Sequence, residues 1–392
     1  MTDKDKLTYW ELRAVRNEQK AHDQANKKVN VITNAYLRSQ DYLTNQVDNI
    51  YKRYFGDGQF AEEQIKDILN TTVSPSELVT LQALAKNISD PQSKKQVADY
   101  LSALAAKGRI TRIEEIKAKA YISVKRAANI ELKESTGLYT QVIQEAWNQA
   151  TAEGIIGDVT KDVQLYEKGY APELDKANRT IKIVNPNTGK TITKVKAIPD
   201  KEIKSFKGLS DSYVKKALNQ RWQGENYSQR IWKNTDALAD KLDELFTAQS
   251  MSGMSEYDMA RAVEKEFGTG IYNAKRLIRT EANYFHNQTK LDGWKEHKVK
   301  EYQLVAVLDN RTSQICRKKD GQVFLVKDAK CDGAEGNYPP FHVFCRTVAV
   351  IHFANSPYAG TRTANNPNTK TTFQLKQNKT YQDWEEIISG NL

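Results

Sequence analysis

Ile113-Glu114-Glu115-Ile116-Lys117-Ala118-Lys119-Ala120-Tyr121-Ile122-Ser123-Val124-Lys125-Arg126-Ala127 sets Ile113, Ile116, Ala120, Val124 and Ala127 at spacings of three and four. That period draws one apolar stripe down a helix. Arg112, Glu114, Glu115, Lys117, Lys119 and Lys125 fill the remaining circumference. The stripe is therefore narrow, and the helix is expected to pack against few neighbours. The same reading extends from Lys6 to about Asp158 as helices with polar faces. Within it, Ser74-Pro75-Ser76-Glu77 marks a helix start, with Ser74 free to cap the orphan amides, Pro75 at the first helical position and Glu77 three residues after the cap.

Composition agrees with a helix-rich, surface-rich chain. Of 392 residues, 39% are hydrophobic, against roughly 45–50% for an ordinary globular domain. Gly and Tyr both number 19, so counting one in place of the other leaves the share unchanged. The balance leans toward long solvated helices or an assembly subunit, and the length toward two or three domains. The longest uninterrupted apolar run, Leu304 to Leu308, is far too short to span a bilayer. Met1-Thr2-Asp3-Lys4-Asp5-Lys6 opens no export signal, so a cytoplasmic origin is expected. Three cysteines, an odd count in a reducing compartment, argue against a disulfide framework.

The pattern changes between Tyr170 and Gly208. Thr180-Ile181-Lys182-Ile183-Val184 and Thr191-Ile192-Thr193-Lys194-Val195 flank Asn185-Pro186-Asn187-Thr188-Gly189-Lys190, which predicts a β-hairpin. A second helical region runs from about Ser210 to Glu296, with Trp222, Tyr227 and Trp232 as core anchors and a break at Ser252-Gly253. In it Ala274, Leu277, Ile278, Ala282 and Phe285 form the apolar face of a helix reaching about Trp294. Strands are expected at Tyr302 to Leu308 and Thr347 to Ile351. From Thr361 to Tyr381 the chain is Asn-, Thr- and Gln-rich and too poor in large apolar residues to build a core, with Trp384, Ile387 and Ile388 as a docking point. The predicted fold is mainly α. It comprises an elongated helical N-terminal part (1–158), a linker with the hairpin (159–209), helices followed by a small α+β Cys/His-containing unit (210–354), and a polar tail (355–392).

All three cysteines and one histidine fall within 30 residues of one another. Cys316, Cys331, His342 and Cys345 could make a four-coordinate zinc site that staples a small strand-poor unit, and such a closed site would be structural. His342-x-x-Cys345 is a plausible ligand pair, whereas Cys316 has no cysteine two or three residues away. The alternative is three small buried cysteines beside a hydrogen-bonded histidine.

Charge is concentrated nearby. The net charge is +10, and residues 275 to 346 hold 14 Lys+Arg against nine Asp+Glu, half of it in under a fifth of the chain. Lys290, Lys295, Lys298 and Lys300 around Trp294, with Arg317-Lys318-Lys319, could contact phosphates without reading base sequence, or form a solvated basic face. Glu281, on the margin of the apolar stripe, is either a general base or an ion-pair partner of Arg311 or Arg346. The second is favoured because no nucleophile or cofactor motif accompanies it. Asp309-Asn310 reads most simply as a turn. There is no Walker loop, Ser/His/Asp arrangement or HExxH, and Gly253, Gly268 and Gly270 make no dinucleotide fingerprint.

Arg279-Thr280-Glu281 on a helix, Asp309-x-Arg311-Thr312-Ser313-x-x-Cys316, Asp320-Gly321 and Tyr338-Pro339-Pro340-x-His342-x-x-Cys345-Arg346 together resemble the phage Mu F-like head morphogenesis proteins. These are minor capsid, or minor head, proteins of tailed double-stranded DNA phages. The resemblance covers about Asn219 to Phe353, beginning at Trp222-x-Gly224 and Tyr227-Ser228-x-Arg230-Ile231. Tyr9-Trp10-x-x-Arg13 looks like the longer members from phages of Gram-positive hosts. Ser313 stands where many members carry a second cysteine. The resemblance implies a non-enzymatic virion protein with few copies per head, made in the host cytoplasm and placed inside the capsid near the portal vertex. Its implied partners are the portal protein, the major capsid or scaffolding protein and double-stranded DNA, with no membrane during assembly. The rival expectation is a metal-dependent nuclease or toxin-like effector carried by a phage, weakened by the lack of an extra C-terminal domain.

Overall fold

The computed structural model describes residues 9–55, 61–160, 171–175, 180–184, 190–197, 209–352, 361–376 and 379–390. The fold is mainly α, with small antiparallel sheets. It divides into two compact units, one built from Ala25–Leu138 and Glu225–Ile278, the other from Met1–Gln24, Tyr139–Gly224 and Arg279–Leu392. These units cut across the consecutive segments read from the sequence. The reason is helix length: α1 (Tyr9–Ile50), α5 (Arg112–Thr160) and α9 (Glu256–Glu296), of 42, 49 and 41 residues, each contribute to both.

In the first unit, α2 (Glu62–Asn70), α3 (Ser76–Ala85) and α4 (Pro91–Ala105) precede α5. Helix α3 starts where Ser74-Pro75-Ser76-Glu77 predicts, although Ser76 is its first residue and Pro75 lies just outside. Asp90 caps α4 by accepting from Ser93 N at 2.8 Å, with Pro91 at the first helical position. Leu81, Ile88, Val97, Leu101, Leu104 and Ile110 pack on Ala118 and Ile122 of α5. That contact corrects the narrow stripe. Ala118, Ile122, Ser123 and Lys125 are buried beside Ile116, Ala120, Val124 and Ala127, so this stretch of α5 is enclosed on most of its circumference, and Ile113 at its start is only half-buried. Lys125 is fully buried because Asp236 neutralises its ammonium and Gln96 Oε1 accepts from it at 2.6 Å.

Elsewhere in this unit, Tyr51 opens a π-helical turn (Tyr51–Phe55) and donates its hydroxyl to Met251 O at 3.1 Å and Met254 O at 3.2 Å. Met251 lies in α8 (Ala248–Gly253) and Met254 just past its end, at the break that Ser252-Gly253 predicts. Helix α7 (Tyr227–Leu245) starts with a reciprocal cap between Asn226 and Gln229. Tyr227 is buried and Trp232 half-buried.

In the second unit, β1 (Ala171–Asp175), β2 (Thr180–Val184) and β3 (Thr191–Ala197) form an antiparallel sheet in which β2 and β3 are the predicted hairpin strands. The Asn185 to Gly189 turn lies outside the described residues. Helix α6 (Asp211–Leu218) follows, capped by Ser210, and Trp222 is buried against Tyr284.

The α+β part follows α9 as β4 (Glu301–Val305), α10 (Gln314–Lys319), β5 (Val323–Leu325) and β6 (Val348–His352). Its antiparallel sheet has the order β5-β4-β6, with Tyr302 opposite Ile351 and Leu304 opposite Ala349. Alternation along β4 turns Tyr302 and Leu304 into a core with Leu291, Trp294, Tyr338, Phe341 and Cys345. Trp294 also donates from Nε1 to Glu153 Oε2 at 2.8 Å, which ties α9 to α5. The two helices approach so closely there that a Cβ on Gly293 would stand 2.5 Å from Ala150 Cβ. Only glycine fits.

Residues 361–390 correct the expectation of a coreless tail. Strands β7 (Thr361–Asn366) and β8 (Thr371–Lys376) form a hairpin, and α11 (Tyr381–Ile388) follows. Ala364, Leu375, Tyr381 and Trp384 share a small core with Leu308. Few apolar residues suffice because the docking surface already exists on the α+β part.

Candidate functional site

Helix α10 begins at the Asp309 to Ser313 turn. Ser313 caps it, its Oγ accepting from Cys316 N at 3.3 Å, which fixes Cys316 one turn into the helix. Facing it is the turn His342-Val343-Phe344-Cys345, closed by Cys345 N donating to His342 O at 3.2 Å with Phe344 at φ +56°. Asn283 on α9 donates to Cys345 O at 3.1 Å, and Phe344 N reaches Thr280 Oγ1 at 3.4 Å.

These constraints bring Cys316, His342 and Cys345 together, with ligand atoms within 4.8 Å of one another. Cys316 Sγ lies 3.1 Å from His342 Nε2 and 3.7 Å from Cys345 Sγ. Ser313 Oγ is 2.7 Å from the same Nε2. On the far side of the ring, His342 Nδ1 contacts Val343 O at 2.6 Å, and with Nδ1 donating there Nε2 keeps its lone pair. Both thiols are buried and the imidazole is half-buried. Hydrogen bonding from Cys345, against the effect of burial and with help from His342 and Ser313, pushes the Cys316 thiol down to about 4. Cys345 moves up in response, chiefly through its bond to Cys316, and the His342 imidazole is raised by Cys316.

Cys331, the fourth expected ligand, is not in this group. Its thiol donates to Pro339 O at 3.1 Å, and burial pushes it up. Ser313 occupies the vacated side of the cluster instead. Its signal in the sequence was local: a serine three residues before Cys316, in the helix-cap position.

Two buried carboxylates frame the site. Asp309 accepts from Arg346 at 2.7 and 2.6 Å, from Arg311 N at 3.0 Å and from Thr312 Oγ1 at 3.1 Å. It is therefore an ion-pair hub as well as a turn residue, held below the usual carboxylate range by Arg346 despite its burial. Arg311 and Arg346, considered as partners of Glu281, both pair with Asp309. Glu281 itself is buried on α9, next to buried Thr280 and half-buried Arg279. Asp320 accepts from Ala306 N and Tyr381 N at 2.7 Å each and pairs with Arg362, a residue that sequence reasoning missed. Gly321 follows at φ +78° and donates to Leu304 O at 2.8 Å. Pro339 and Pro340 are buried.

The basic residues separate into two groups. Lys295, Lys298, Lys300 and Lys318 are exposed. Lys290 is buried, donates to Ala349 O at 2.8 Å and lies 4.6 Å from the Trp294 ring centroid, so it does not reach a phosphate. Arg317 is held by Thr312 O and Glu385 over the Tyr381 ring, and Lys319 by Gly336 O over Phe341.

Among the described residues no helix is long and apolar enough to cross a membrane. No curated protein and no solved structure matches the chain. Residues 240–350 match the family model described as Phage Mu protein F like protein, a span that holds Arg279 to Glu281, Asp309 to Cys316, Asp320-Gly321 and Tyr338 to Arg346, and leaves Trp222 and Tyr227 to Ile231 outside it. The chain thus carries a phage Mu F-like domain, which supports a role in phage head morphogenesis as a minor capsid protein of the virion.

Proposed function

We propose that this chain sits inside the phage head at the portal vertex, against the portal protein and the packaged DNA, and assists head assembly, packaging or ejection. The observation that carries the reading is the phage Mu F-like match over residues 240–350. Contact with DNA is supported by the net charge of +10, half of it within residues 275–346, and by exposed Lys295, Lys298, Lys300 and Lys318. Such contacts neutralise phosphates and are independent of base sequence.

Contact with the portal, major capsid or scaffolding protein does not draw on the side chains packed inside the units. It is supported instead by exposed apolar side chains, Val323 and Leu325 on the edge strand β5 and Tyr257 and Tyr272 on α9. Interrupting the gene in the phage tests the reading. Loss of infectivity with altered portal or DNA content per particle is expected. Infectious particles with normal portal and DNA content would refute it.

A further inference from the structure

The Cys316, His342 and Cys345 cluster is assembled from two separate pieces of chain, the capped start of α10 and the turn at 342–345, and a third, α9, holds that turn through Asn283. Every group that would orient a metal ligand is already in place. A hydrogen bond at Nδ1 leaves His342 Nε2 free to donate its lone pair, as in the outer shell of zinc-bound imidazoles. Ser313 Oγ fixes Cys316 through its backbone amide, and Asn283 Nδ2 fixes Cys345 through its carbonyl.

The spacing suits one ion. Zinc bonds of about 2.3 Å to sulfur and about 2.0 Å to nitrogen set tetrahedral edges of roughly 3.7 Å between sulfurs and roughly 3.5 Å between sulfur and nitrogen. The two sulfurs stand 3.7 Å apart, the shorter 3.1 Å from Cys316 Sγ to His342 Nε2 needs a shift of a few tenths of an ångström, and the His342–Cys345 edge, which lies within 4.8 Å, closes by up to about an ångström as the ring swings onto the ion. Two thiolates and an imidazole are a soft to borderline donor set, which suits zinc and excludes magnesium and calcium.

We propose that Cys316, His342 and Cys345 bind one zinc ion through Sγ, Nε2 and Sγ, with a water held by the Ser313 hydroxyl in the fourth position and Cys331 excluded. Both sulfurs bind as thiolates, so any proton still held on either sulfur leaves to solvent as its Zn–S bond forms. The ion ties α10 to the 342–345 turn, a covalent-like link across a part of the chain that lacks a disulfide. A three-ligand site differs from a closed four-cysteine-type staple in one respect: its fourth position exchanges. This inference does not depend on a place in the phage head.

The test uses the full chain, purified under reducing conditions and titrated with zinc, with metal counted by plasma mass spectrometry and sulfur ligation read by X-ray absorption. About one zinc per chain with two sulfur ligands is expected for the unaltered protein and for Cys331→Ser. Cys345→Ser is expected to lose the metal. Ser313→Cys is expected to keep it and raise the sulfur count from two to three, a gain that misfolding cannot produce. No zinc at saturation, a Cys316–Cys345 disulfide in its place, loss of zinc in Cys331→Ser, or a sulfur count of two in Ser313→Cys would each overturn the proposal.

Discussion

Arg362 and Asp320 form an ion pair sealed from solvent, with guanidinium nitrogens 2.8 and 3.0 Å from the two carboxylate oxygens and side chains 6% and 0% exposed. Arg362 also donates to Ala306 O at 2.6 Å and Lys379 O at 3.0 Å, so one side chain joins β7 to the α+β part and to the approach to α11. Removing one partner of such a pair leaves the other charge buried and uncompensated, which costs about 3–5 kcal/mol. Arg362→Ala is expected to lower the denaturation midpoint by that order and to open residues 361–390 to protease. Asp320→Ala is expected to cost more, because it also orphans the Ala306 and Tyr381 amides. Equal stability of Arg362→Ala and the unaltered chain would show that the hairpin is held by Leu375, Tyr381 and Trp384 alone.

Lys125 poses the same problem with a different remedy. Its side chain is fully buried while Asp236 keeps 42% of its exposure, so the ammonium carries most of the desolvation cost. Lys125→Met keeps the volume and removes that cost, and is expected to change stability by less than about 1.5 kcal/mol in either direction. Lys125→Ala leaves a cavity in α5 and is expected to lose about 2–5 kcal/mol. Urea unfolding of the two variants separates packing from charge. If Met is as damaging as Ala, the ion pair with Asp236 stabilises α5 by more than its geometry suggests.

Glu131 supplies a pH dependence. It is buried on α5 and accepts from the Tyr36 hydroxyl at 2.5 Å, and burial raises it from 4.5 to about 7 against the effect of that bond. A carboxyl raised on folding takes up a proton on folding between those two values, so its contribution to stability is full below about pH 4.5 and is lost as pH rises through about 7. The loss amounts to about 3 kcal/mol at most. Glu131→Gln keeps a partner for Tyr36 and cannot ionise. It is expected to flatten the fall in melting temperature over that interval, whereas an unchanged slope would place the titration elsewhere.

What could be read in advance follows a physical division. Ala274 to Phe285 on α9 and the two long strands of the α+β part were legible because burial of apolar residues leaves a period in the chain. Cys316, His342 and Cys345 were legible because they are close in sequence and share a chemistry. Around the site the misreadings concern side chains whose partners are distant in sequence. Lys125 and Lys290 looked solvated, yet Lys125 is neutralised by Asp236, 111 residues away, and Lys290 donates to a carbonyl 59 residues away. Arg362 lay in a stretch that looked coreless, and its partner Asp320 lies 42 residues before it. Cys331 and Ser313 exchanged roles because a helix cap, not residue type, decides which side chain faces the imidazole. A buried polar side chain is defined by its partner, and no local pattern records the partner.

Exposed and buried lysines differ in what they can contribute to DNA binding. If Lys295, Lys298, Lys300 and Lys318 contact phosphates, each releases about 0.9 counterion on binding duplex DNA. Replacing all four by Gln is then expected to reduce the slope of log K against log salt concentration by roughly three to four and to weaken binding equally for unrelated sequences. Lys290→Gln is expected to leave the slope unchanged and to lower stability, since its ammonium stabilises the interior against Ala349 O and Trp294. Binding curves at several salt concentrations, paired with thermal unfolding, read both effects. A slope that survives the fourfold substitution would move the DNA contact off this face, and a slope that falls with Lys290→Gln would mean that α9 opens when DNA binds.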